Sequence, residues 1–439
     1  MFKIILKNFW MRRRSNGWLF AEIVIVTILT WVMVDPTVVS LYERYKSFGY
    51  DTDRIVNIQV GEYSNNAEKY DAQYESIDEK WSAIANIMRK AEALPEVEQA
   101  ERISTPINSQ FISYAEFKPV IEGLDTLSIN SHLKINLRNG EKFFSTYGIE
   151  ASSGSPDIET IEKEMRNYNC VITETVDRLY WPNSRSINGK RFIYMTTAAG
   201  DTVYMNVIGI VKDFRANSVS QNPSTILVNE PDPMSMYPPS SFVIALRLHN
   251  GINAESYIKD QMRLINSTIR AGNYYVTNIT DQNSDIIANE NSWGITYQRY
   301  LQLGLTVFFL LSMILGVFGC VRLQTSKRET EMGILRSFGA TRSNIIKMLM
   351  CETIVLATIG FIIGDLIFLQ FAIKEGLNSY FNDFSKSGSS SDWVTNFRYH
   401  FTIVSAIVYM FIIVCVVIGT YFPARHVSRI EPVDALRDE

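Results

Sequence analysis

The hydrophobic residues of the chain fall mainly into four long runs separated by polar sequence. These runs cover residues 18–34, 301–321, 348–370 and 401–422. A helix needs about 20 apolar residues to cross the roughly 30 Å of a bilayer's hydrocarbon core. Each run is close to that length, so we predict four transmembrane helices at residues 18–34, 299–321, 348–370 and 401–422.

The first run has a second interpretation as a secretory signal peptide, because a basic segment precedes it. However, Trp31, Val32 and Met33 stand where a signal peptide would carry small residues for cleavage. We therefore favour a retained membrane anchor. Tryptophans near the ends of the runs are typical of aromatic belts at the two membrane surfaces; they are Trp18, Trp31, Trp293 and Trp393.

Residues 35–298 have the composition of a soluble domain, and their pattern predicts both helices and strands. A helix is predicted within residues 70–94, where Pro95 ends it, and a second at residues 257–269. Strands are predicted at residues 55–60, 111–117, 127–137, 170–173, 203–211, 242–248 and 274–279. The predicted fold class is an α-helical membrane protein with four transmembrane helices and a large α+β domain between the first and second spans.

The charge pattern predicts the orientation of the chain. Basic residues cluster in and beside the segment between the second and third runs: Arg322, Lys327, Arg328, Arg336, Arg342 and Lys347. Short loops rich in Lys and Arg stay in the cytoplasm. We therefore place residues 1–17, 322–347 and 423–439 in the cytoplasm. Residues 35–298 and the polar loop 371–400 then lie outside it.

Residues 1–17 are basic and contain no acidic residue, and their apolar positions recur near helical spacing. This pattern favours a basic amphipathic helix on the inner leaflet, with a disordered basic leader as the alternative. From about Ser284 the chain shows no proline before the second span. We predict that this span continues outward as an uninterrupted helical stalk.

The segment 322–347 also predicts a short amphipathic helix. Ser326 and Glu329 have the spacing of a capping box, and Gly339 stands where a left-handed C-terminal cap is needed. Between them, Met332, Leu335 and Phe338 recur every three residues. We expect this apolar stripe to lie on the membrane surface or to dock into another protein.

Polar residues within the spans raise separate questions. Gly360 and Gly364 have small-xxx-small spacing, which favours close helix packing within the chain or a dimer contact. Glu352 near the inner end of the third span is expected to snorkel or to pair with an arginine of the 322–347 segment. The roles of Glu22 and Asp365 are not evident from the sequence.

The chain lacks the sequence patterns of common catalytic sites. It has no G-x-x-x-x-G-K-[ST] phosphate-binding loop, no H-E-x-x-H and no G-x-S-x-G. Its four histidines are far apart in sequence, so we predict no metal site and no catalytic residues. The net charge of −4 gives no indication of nucleic-acid binding. Cys170 is the lone cysteine of residues 35–298, so no disulfide is expected there.

Three segments resemble the FtsX/MacB family of ABC transporter permeases. They are RETEMGILRSFGATRSNI with the following Glu352, Gly360 and Gly364; GTYFPARHVSRIEPVDALRDE at the C-terminus; and NCVITETVDRLYWPNSRSINGKRF with VIGIVKDF in the middle. The last pair is similar to the MacB-type periplasmic core domain. The resemblance runs from about residue 140 to residue 439.

This resemblance implies roles for particular residues. The 322–347 segment would be the coupling helix that docks into a separate ATPase, through Arg328, Glu331, Gly333, Arg336, Phe338, Gly339 and Ala340. The C-terminal family motif would consist of Pro423, Arg425, Pro432, Leu436 and Arg437. The outer domain would have two lobes, the second inserted at about residues 140–235.

The resemblance also implies a function and partners. The chain would be a non-catalytic permease of a bacterial inner membrane, moving its periplasmic domain when a cytosolic ABC ATPase hydrolyses ATP. ATP and Mg would be bound by that partner, with no cofactor in this chain. Further partners would be a second permease chain, as homo- or heterodimer, and a periplasmic adaptor with an outer-membrane duct.

Three functional alternatives stay open at this point. Within the family, related permeases release lipoproteins or activate cell-wall hydrolases instead of exporting a substrate. In a different class, residues 36–298 could be the ligand-binding part of a membrane receptor. The receptor is disfavoured because the longest predicted cytoplasmic segment, 322–347, is too short for an output domain.

Overall fold

A computed structural model describes most of the chain and divides it into two compact units. The described residues are 13–107, 113–121, 130–166, 168–184, 186–196, 202–215, 224–229, 241–326, 329–377, 393–394 and 396–429. The helical unit comprises Met1–Tyr42, Tyr297–Tyr380 and Ser391–Glu439. The α/β unit comprises Glu43–Thr296 and Phe381–Ser390. Most of the predicted N-terminal amphipathic segment and of the 371–400 loop lie outside the described residues.

The elements follow one another in a simple chain order. They are α1 (Arg13–Tyr45), β1 (Ile55–Glu62), a 3-10 turn (Ala72–Tyr74), α2 (Ile77–Glu92), β2 (Val97–Ile103), β3 (Ser113–Pro119), β4 (Asn130–Asn136), α3 (Phe143–Tyr147), α4 (Ile158–Glu164), β5 (Asn169–Thr173), α5 (Glu174–Tyr180), β6 (Arg191–Thr196), β7 (Thr202–Val211), β8 (Thr225–Val228), β9 (Val243–Leu248), α6 (Ala254–Thr268), β10 (Tyr274–Asp281), α7 (Gln282–Ser292), α8 (Ile295–Ser326), α9 (Glu329–Ser337), α10 (Arg342–Glu375) and α11 (Phe397–Val427).

Four of these helices are long and apolar enough to cross a membrane. The candidate spans are Gly17–Tyr45, Ile295–Ser326, Arg342–Glu375 and Phe397–Val427. They contain the four apolar runs of the sequence but extend beyond them, because backbone hydrogen bonding continues past the last apolar residue of each run. The first shows this most clearly: α1 runs through Pro36 to Tyr45.

The α/β unit contains a four-stranded sheet and a closed six-stranded barrel. The sheet has the strand order β10-β1-β9-β2, and all three of its strand pairs are antiparallel. Helices α2 and α6 bury apolar side chains such as Ile87 and Tyr257 in the core that this sheet helps to form. The barrel has the order β3-β4-β8-β5-β7-β6, with β4–β8 and β5–β7 parallel.

The barrel defines the second lobe, and it differs from the lobe expected from the sequence. Its first strand begins at Ser113 and its last strand in the sequence, β8, ends at Val228. The expected boundaries of about 140–235 therefore leave out β3 and β4. The resemblance that suggested this lobe begins at about residue 140, so it could not include these two strands.

A single hydrophobic core joins the two lobes. It includes Ile55 and Ala245 from the sheet, and Val171 and Leu227 from the barrel. The aromatic side chains of α3, including Phe143, lie in this core and are fully buried. Because protein interiors pack as densely as crystals, lobes that share such a core resist sliding past each other.

The predicted uninterrupted stalk before the second span is wrong. Helix α7 ends at Ser292, and α8 begins at Ile295. Between them, Trp293 is the C-cap and Gly294 has φ +73°, in the left-handed region that a glycine adopts without steric cost. The absence of proline did not exclude a break, because a glycine C-cap ends a helix equally well.

One buried histidine of the barrel connects the fold to pH. His132 on β4 is fully buried, with Nδ1 2.8 Å from the Ser224 hydroxyl and Nε2 2.5 Å from the Tyr180 hydroxyl. Burial disfavours the charged imidazolium and lowers the pKa of His132 to about 4. The ring is therefore neutral in the native protein at pH 7.

We expect the barrel to lose stability as the pH falls from about 6.5 to about 4. Over that interval the unfolded histidine gains a proton that the native ring does not, at a cost approaching about 3 kcal/mol. His132→Gln keeps a donor and an acceptor but cannot titrate, so its unfolding midpoint should depend less on pH. Thermal unfolding of the full-length variant at pH 7 and pH 5 measures this.

His249→Gln is the matched control, because His249 is exposed. It should show the same pH dependence as the unmodified chain. Identical pH profiles for the His132 variant and the unmodified chain would contradict the expectation.

Candidate docking site at the short helix α9

Helix α9 is a separate short helix between two long ones, as the sequence predicts. Its C-terminal end is a glycine cap: Gly339 has φ +91°, and the Ala340 N–H donates to the Leu335 carbonyl at 3.1 Å. The Thr341 side chain then caps α10 by accepting from the Asn344 N–H. The predicted capping box is wrong, because Ser326 is the last residue of α8 and cannot be the N-cap of α9.

One face of α9 is anchored to the helical unit. Met332 is buried in a small apolar cluster with Ile345 and Leu349 of α10, and with Ala424 and Val427 of α11. This cluster brings together the 322–347 segment and the Pro-Ala-Arg part of the C-terminal motif. The two sequence motifs therefore meet at one place, and the position of α9 is fixed by packing on both α10 and α11.

The opposite face of α9 is apolar and exposed. We call Ile334, Leu335 and Phe338 the α9 apolar face; their exposed fractions are 43%, 38% and 86%. The predicted stripe grouped Met332 with Leu335 and Phe338, but Met332 is buried on the other side. The three-residue spacing misled because 3.6 residues per turn rotate such a stripe around a helix.

The other residues implied by the family resemblance lie in different environments. Gly333 is buried, Arg336 and Ala340 are half-buried, and Glu331 and Gly339 are exposed. Pro423 is buried within α11, and Arg425 is exposed in its last turn. Arg328, Pro432, Leu436 and Arg437 lie outside the described residues.

Comparison with protein families decides what kind of helical unit this is. A family model for the FtsX-like permease C-terminal domain matches residues 303–432. These residues contain α9, the cluster beneath it and the larger part of the helical unit. Residues 303–432 are an FtsX-like permease domain.

Related sequences agree with this assignment at low identity. A macrolide export ATP-binding/permease protein MacB of Mannheimia succiniciproducens is 23% identical over 325 residues, covering 72% of this chain and 45% of that protein. A MacB of Campylobacter fetus is 28% identical over 199 residues, covering 45% and 28% of the two chains. The chain thus spans less than half the length of these relatives.

Solved structures also match parts of the chain. The periplasmic region of MacB from Actinobacillus actinomycetemcomitans aligns with a TM-score of 0.30 and 12% identity, covering 55% of this chain and 95% of that one. A domain of a putative permease protein from Porphyromonas gingivalis aligns with a TM-score of 0.29 and 17% identity, covering 52% and 90%.

Two glycines of the FtsX-like domain pack against α1 of the same chain. A Cβ added at Gly360 would lie 2.8 Å from the Ile23 side chain, and one at Gly364 would lie 2.8 Å from the Thr27 side chain and 3.0 Å from the Val24 carbonyl oxygen. Of the two interpretations of the small-xxx-small pattern, the structure shows close packing within the chain. The dimer contact is not supported, because α1 already occupies this surface.

The two acids whose roles the sequence left open both bind other helices. The Cys320 thiol of α8 donates to Glu22 at 3.1 Å, and Glu22 lies where a Cβ on Gly316 would be. Asp365 of α10 accepts hydrogen bonds from the Trp31 indole at 2.9 Å and from the Ser405 hydroxyl at 2.8 Å. Polar groups within a bundle of membrane helices are expected to find partners of this kind.

The tryptophans at the ends of the apolar runs do not all belong to interfacial belts. Trp18 and Trp293 are exposed, as expected for such belts. In contrast, Trp31 is fully buried, stacked between Phe368 and Phe401 at ring distances of 4.5 and 5.1 Å. Trp393 packs edge-on against His400. Trp31 and Trp393 are therefore core residues of the helical unit.

A second buried pair joins α1 to α11. His400 Nε2 lies 2.6 Å from Asp35 Oδ1, and both side chains are almost fully buried. His400 Nδ1 contacts the Val394 carbonyl oxygen at 2.9 Å, so this nitrogen carries a hydrogen. A proton must then also lie between Nε2 and Oδ1, because two lone pairs would otherwise face each other. No sequence pattern indicated this pair, since its members are far apart in the chain.

The arrangement around α9 suits binding rather than catalysis. Glu352 lines a small cavity beneath this region with Gln324, Thr325 and Thr353. Among the described residues, no group of three or more His, Cys, Asp or Glu side chains could hold a metal ion. What α9 offers is an apolar face held in a fixed position.

We expect Gly364→Leu to destabilise the helical unit by about 1–3 kcal/mol, because the new side chain must displace Thr27 and the backbone of α1. The thermal unfolding midpoint of the full-length chain in detergent should fall. Gly319→Leu is the control, since a Cβ at Gly319 meets nothing within 4 Å. An equal effect of both substitutions would argue against tight packing at Gly364.

Proposed function

We propose that this chain is the permease subunit of an ABC-type transporter and that the α9 apolar face docks into a groove of a separate cytosolic ATPase. ATP hydrolysis by that partner would move the α/β unit on the far side of the membrane and so drive export of a substrate. The carrying observation is the exposed Phe338 on a helix that is otherwise anchored by packing.

The burial pattern of α9 supports docking over a simple connecting loop. A connector needs no apolar exposure, whereas Phe338 keeps 86% of its surface exposed at the end of the helix. Apolar area removed from water contributes roughly 25 cal/mol per Å², so a large exposed ring is favourable only when a partner covers it. Met332 and Gly333 on the buried side keep the helix from turning this ring inward.

The sequence supports a division of labour between this chain and an ATPase. No phosphate-binding loop pattern occurs in its 439 residues. The relatives that it matches carry both functions in their names, as ATP-binding/permease proteins, and the chain aligns with less than half of their length. The aligned portion includes the permease domain that the family model matches.

The proposal includes an arrangement in the membrane and further partners. The basic residues around α9, among them Arg336, Arg342 and Lys347, favour a cytoplasmic location for this segment. The α/β unit would then be periplasmic and the membrane a bacterial inner membrane. A second permease chain would complete the transporter, and a periplasmic adaptor with an outer-membrane duct would receive the substrate.

We expect Phe338→Asp to abolish co-purification of the ATPase and ATP-dependent export, because a carboxylate would have to be buried in an apolar groove. The chain should still fold and insert, since Phe338 is exposed. Pull-down of the ATPase encoded with the chain, together with thermal unfolding, measures both points.

Ser337→Asp is the matched control, with the same charge at the neighbouring exposed position of α9. It should retain both activities. If Phe338→Asp also retains full ATPase binding and export, α9 is only a connector.

The orientation has a separate test. A cysteine replacing exposed Asn65 should react with a membrane-impermeant thiol reagent once the outer membrane is made permeable, because residue 65 belongs to the α/β unit. A cysteine replacing exposed Ser337 should react only after the inner membrane is disrupted. The unsubstituted chain reports labelling of its own four cysteines. The opposite pattern would reverse the orientation and place α9 beyond the reach of a cytosolic ATPase.

A further inference from the structure

The two helices that connect the helical unit to the α/β unit in the sequence are built differently. Helix α1 continues without interruption to Tyr45, three residues into the α/β unit, which starts at Glu43. Helix α8 begins only two residues before that unit ends at Thr296, directly after the break at Gly294. This difference bears on which helix could move the α/β unit.

The outer end of α1 is clamped by a buried arginine. Arg215, which follows β7, is 1% exposed, and its Nη1 donates to Glu43 Oε2 at 2.7 Å. Its Nη2 donates to the carbonyl oxygens of Glu43, Lys46 and Ser47 at 3.1, 2.7 and 3.3 Å. One guanidinium therefore neutralises the last acid of the helix and caps its unpaired carbonyl groups.

The backbone beyond α1 reinforces this clamp. The Arg215 N–H donates to the Phe48 carbonyl at 2.8 Å. At Gly49, with φ +81°, an added Cβ would lie 2.3 Å from the Asp213 carbonyl oxygen, so only glycine permits this approach. Arg44 adds an ion pair of 3.9 Å to the buried Glu290 of α7. The last turn of α1 is thus held by both the barrel loop and α7.

Helix α1 is also braced at the one proline inside it. Pro36 lacks an N–H and cannot bond to the Val32 carbonyl, which normally makes a helix prone to bending. The residues on either side bind neighbouring helices: Asp35 holds His400 of α11, and the Thr37 hydroxyl lies 3.3 Å from that of Thr306 of α8. Both contacts oppose bending at this position.

The start of α8 lacks the close packing seen at the end of α1. A Cβ added at Gly294 would meet nothing within 4 Å among the described residues, and the neighbouring Trp293 is 68% exposed. The break is therefore free of the close approach that fixes Gly49. A helix interrupted at an open glycine transmits bending poorly, whereas a braced helix transmits it well.

We propose that α1, and not α8, is the helix that passes movement to the α/β unit, with Arg215 as the positioning residue that fixes its end. This inference rests on the proposed function, because it specifies the route of an ATP-driven movement. Arg215 contacts no substrate; it acts through Glu43 and the last carbonyl groups of α1.

The decisive comparison uses two insertions of the same three glycines, one directly after Tyr45 and one directly after Gly294. The full chain and its co-purified ATPase are placed in lipid nanodiscs, with fluorophores incorporated at the exposed positions Asn65 and Ser337. We expect the ATP-driven change in energy transfer to be lost with the insertion after Tyr45 and retained with the insertion after Gly294. The reverse result, or loss with both insertions, overturns the proposal.

A second variant tests the clamp without changing the length of the chain. Glu43→Gln with Arg215→Gln removes both charges together, so neither is left unpaired in the interior. In the chain alone, amide hydrogen exchange of residues 43–49 should rise while that of β1 and β9 stays unchanged. Unchanged exchange at residues 43–49 shows that Arg215 does not fix the end of α1 and overturns the proposal.

The two proposals fail in distinguishable ways. If the unmodified complex binds no ATPase or shows no ATP-driven change, the proposed function is wrong and the route of movement falls with it. If the unmodified complex responds to ATP and the insertion after Tyr45 responds equally, the proposed function stands and the role of α1 is wrong.

Discussion

The missing side chains of Gly360 and Gly364 determine how α1 lies in the helical unit. Because α10 has no Cβ at these positions, α1 approaches until the Val24 carbonyl oxygen is about one van der Waals contact away. This approach sets the register of α1, and the contacts further along it follow. It brings Trp31 between two phenylalanines and within reach of Asp365, and it brings Asp35 to His400. Hydrogen-bonded pairs of this kind are what permit carboxylates within an apolar bundle.

The α/β unit obeys a different constraint, the core shared by its sheet and its barrel. Phe143 and Tyr147 on the short helix α3 are fully buried where the two lobes meet. Separating the lobes would expose these rings and cost about 1.5–3 kcal/mol for each large side chain. Large movement between the lobes is therefore unfavourable, and the proposed transporter would move this unit as one body.

Local patterns predicted a large part of this structure. The four apolar runs identified the four long helices, because an uninterrupted run of about 20 apolar residues is typical of a membrane span and rare in a soluble domain. Gly339 was predicted as a cap because a helix end that needs a positive φ selects glycine. The small-xxx-small pair indicated close packing, although not its partner. These features depend on residues that are near one another in the sequence.

What the sequence did not reveal depends on distant residues. Trp31 has the position of an interfacial tryptophan, and only its stacking on Phe368 and Phe401 shows that it is buried. Met332 has the spacing of an exposed stripe, and only the cluster with α10 and α11 shows that it is an anchor. The partners of Asp35 and Arg215 are 365 and 172 residues away. No periodicity within a short window contains that information.

The size of α9 limits what it can do for a partner. Nine residues make a helix of about 14 Å, and its exposed apolar face has three side chains. Stable protein interfaces bury about 800 Å² on each partner, and three side chains supply on the order of half that area. A partner held by one such face alone would dissociate readily. Two faces presented together by a pair of permease chains would bind far more tightly through their effective concentration, so firm ATPase binding would report that the pair has assembled.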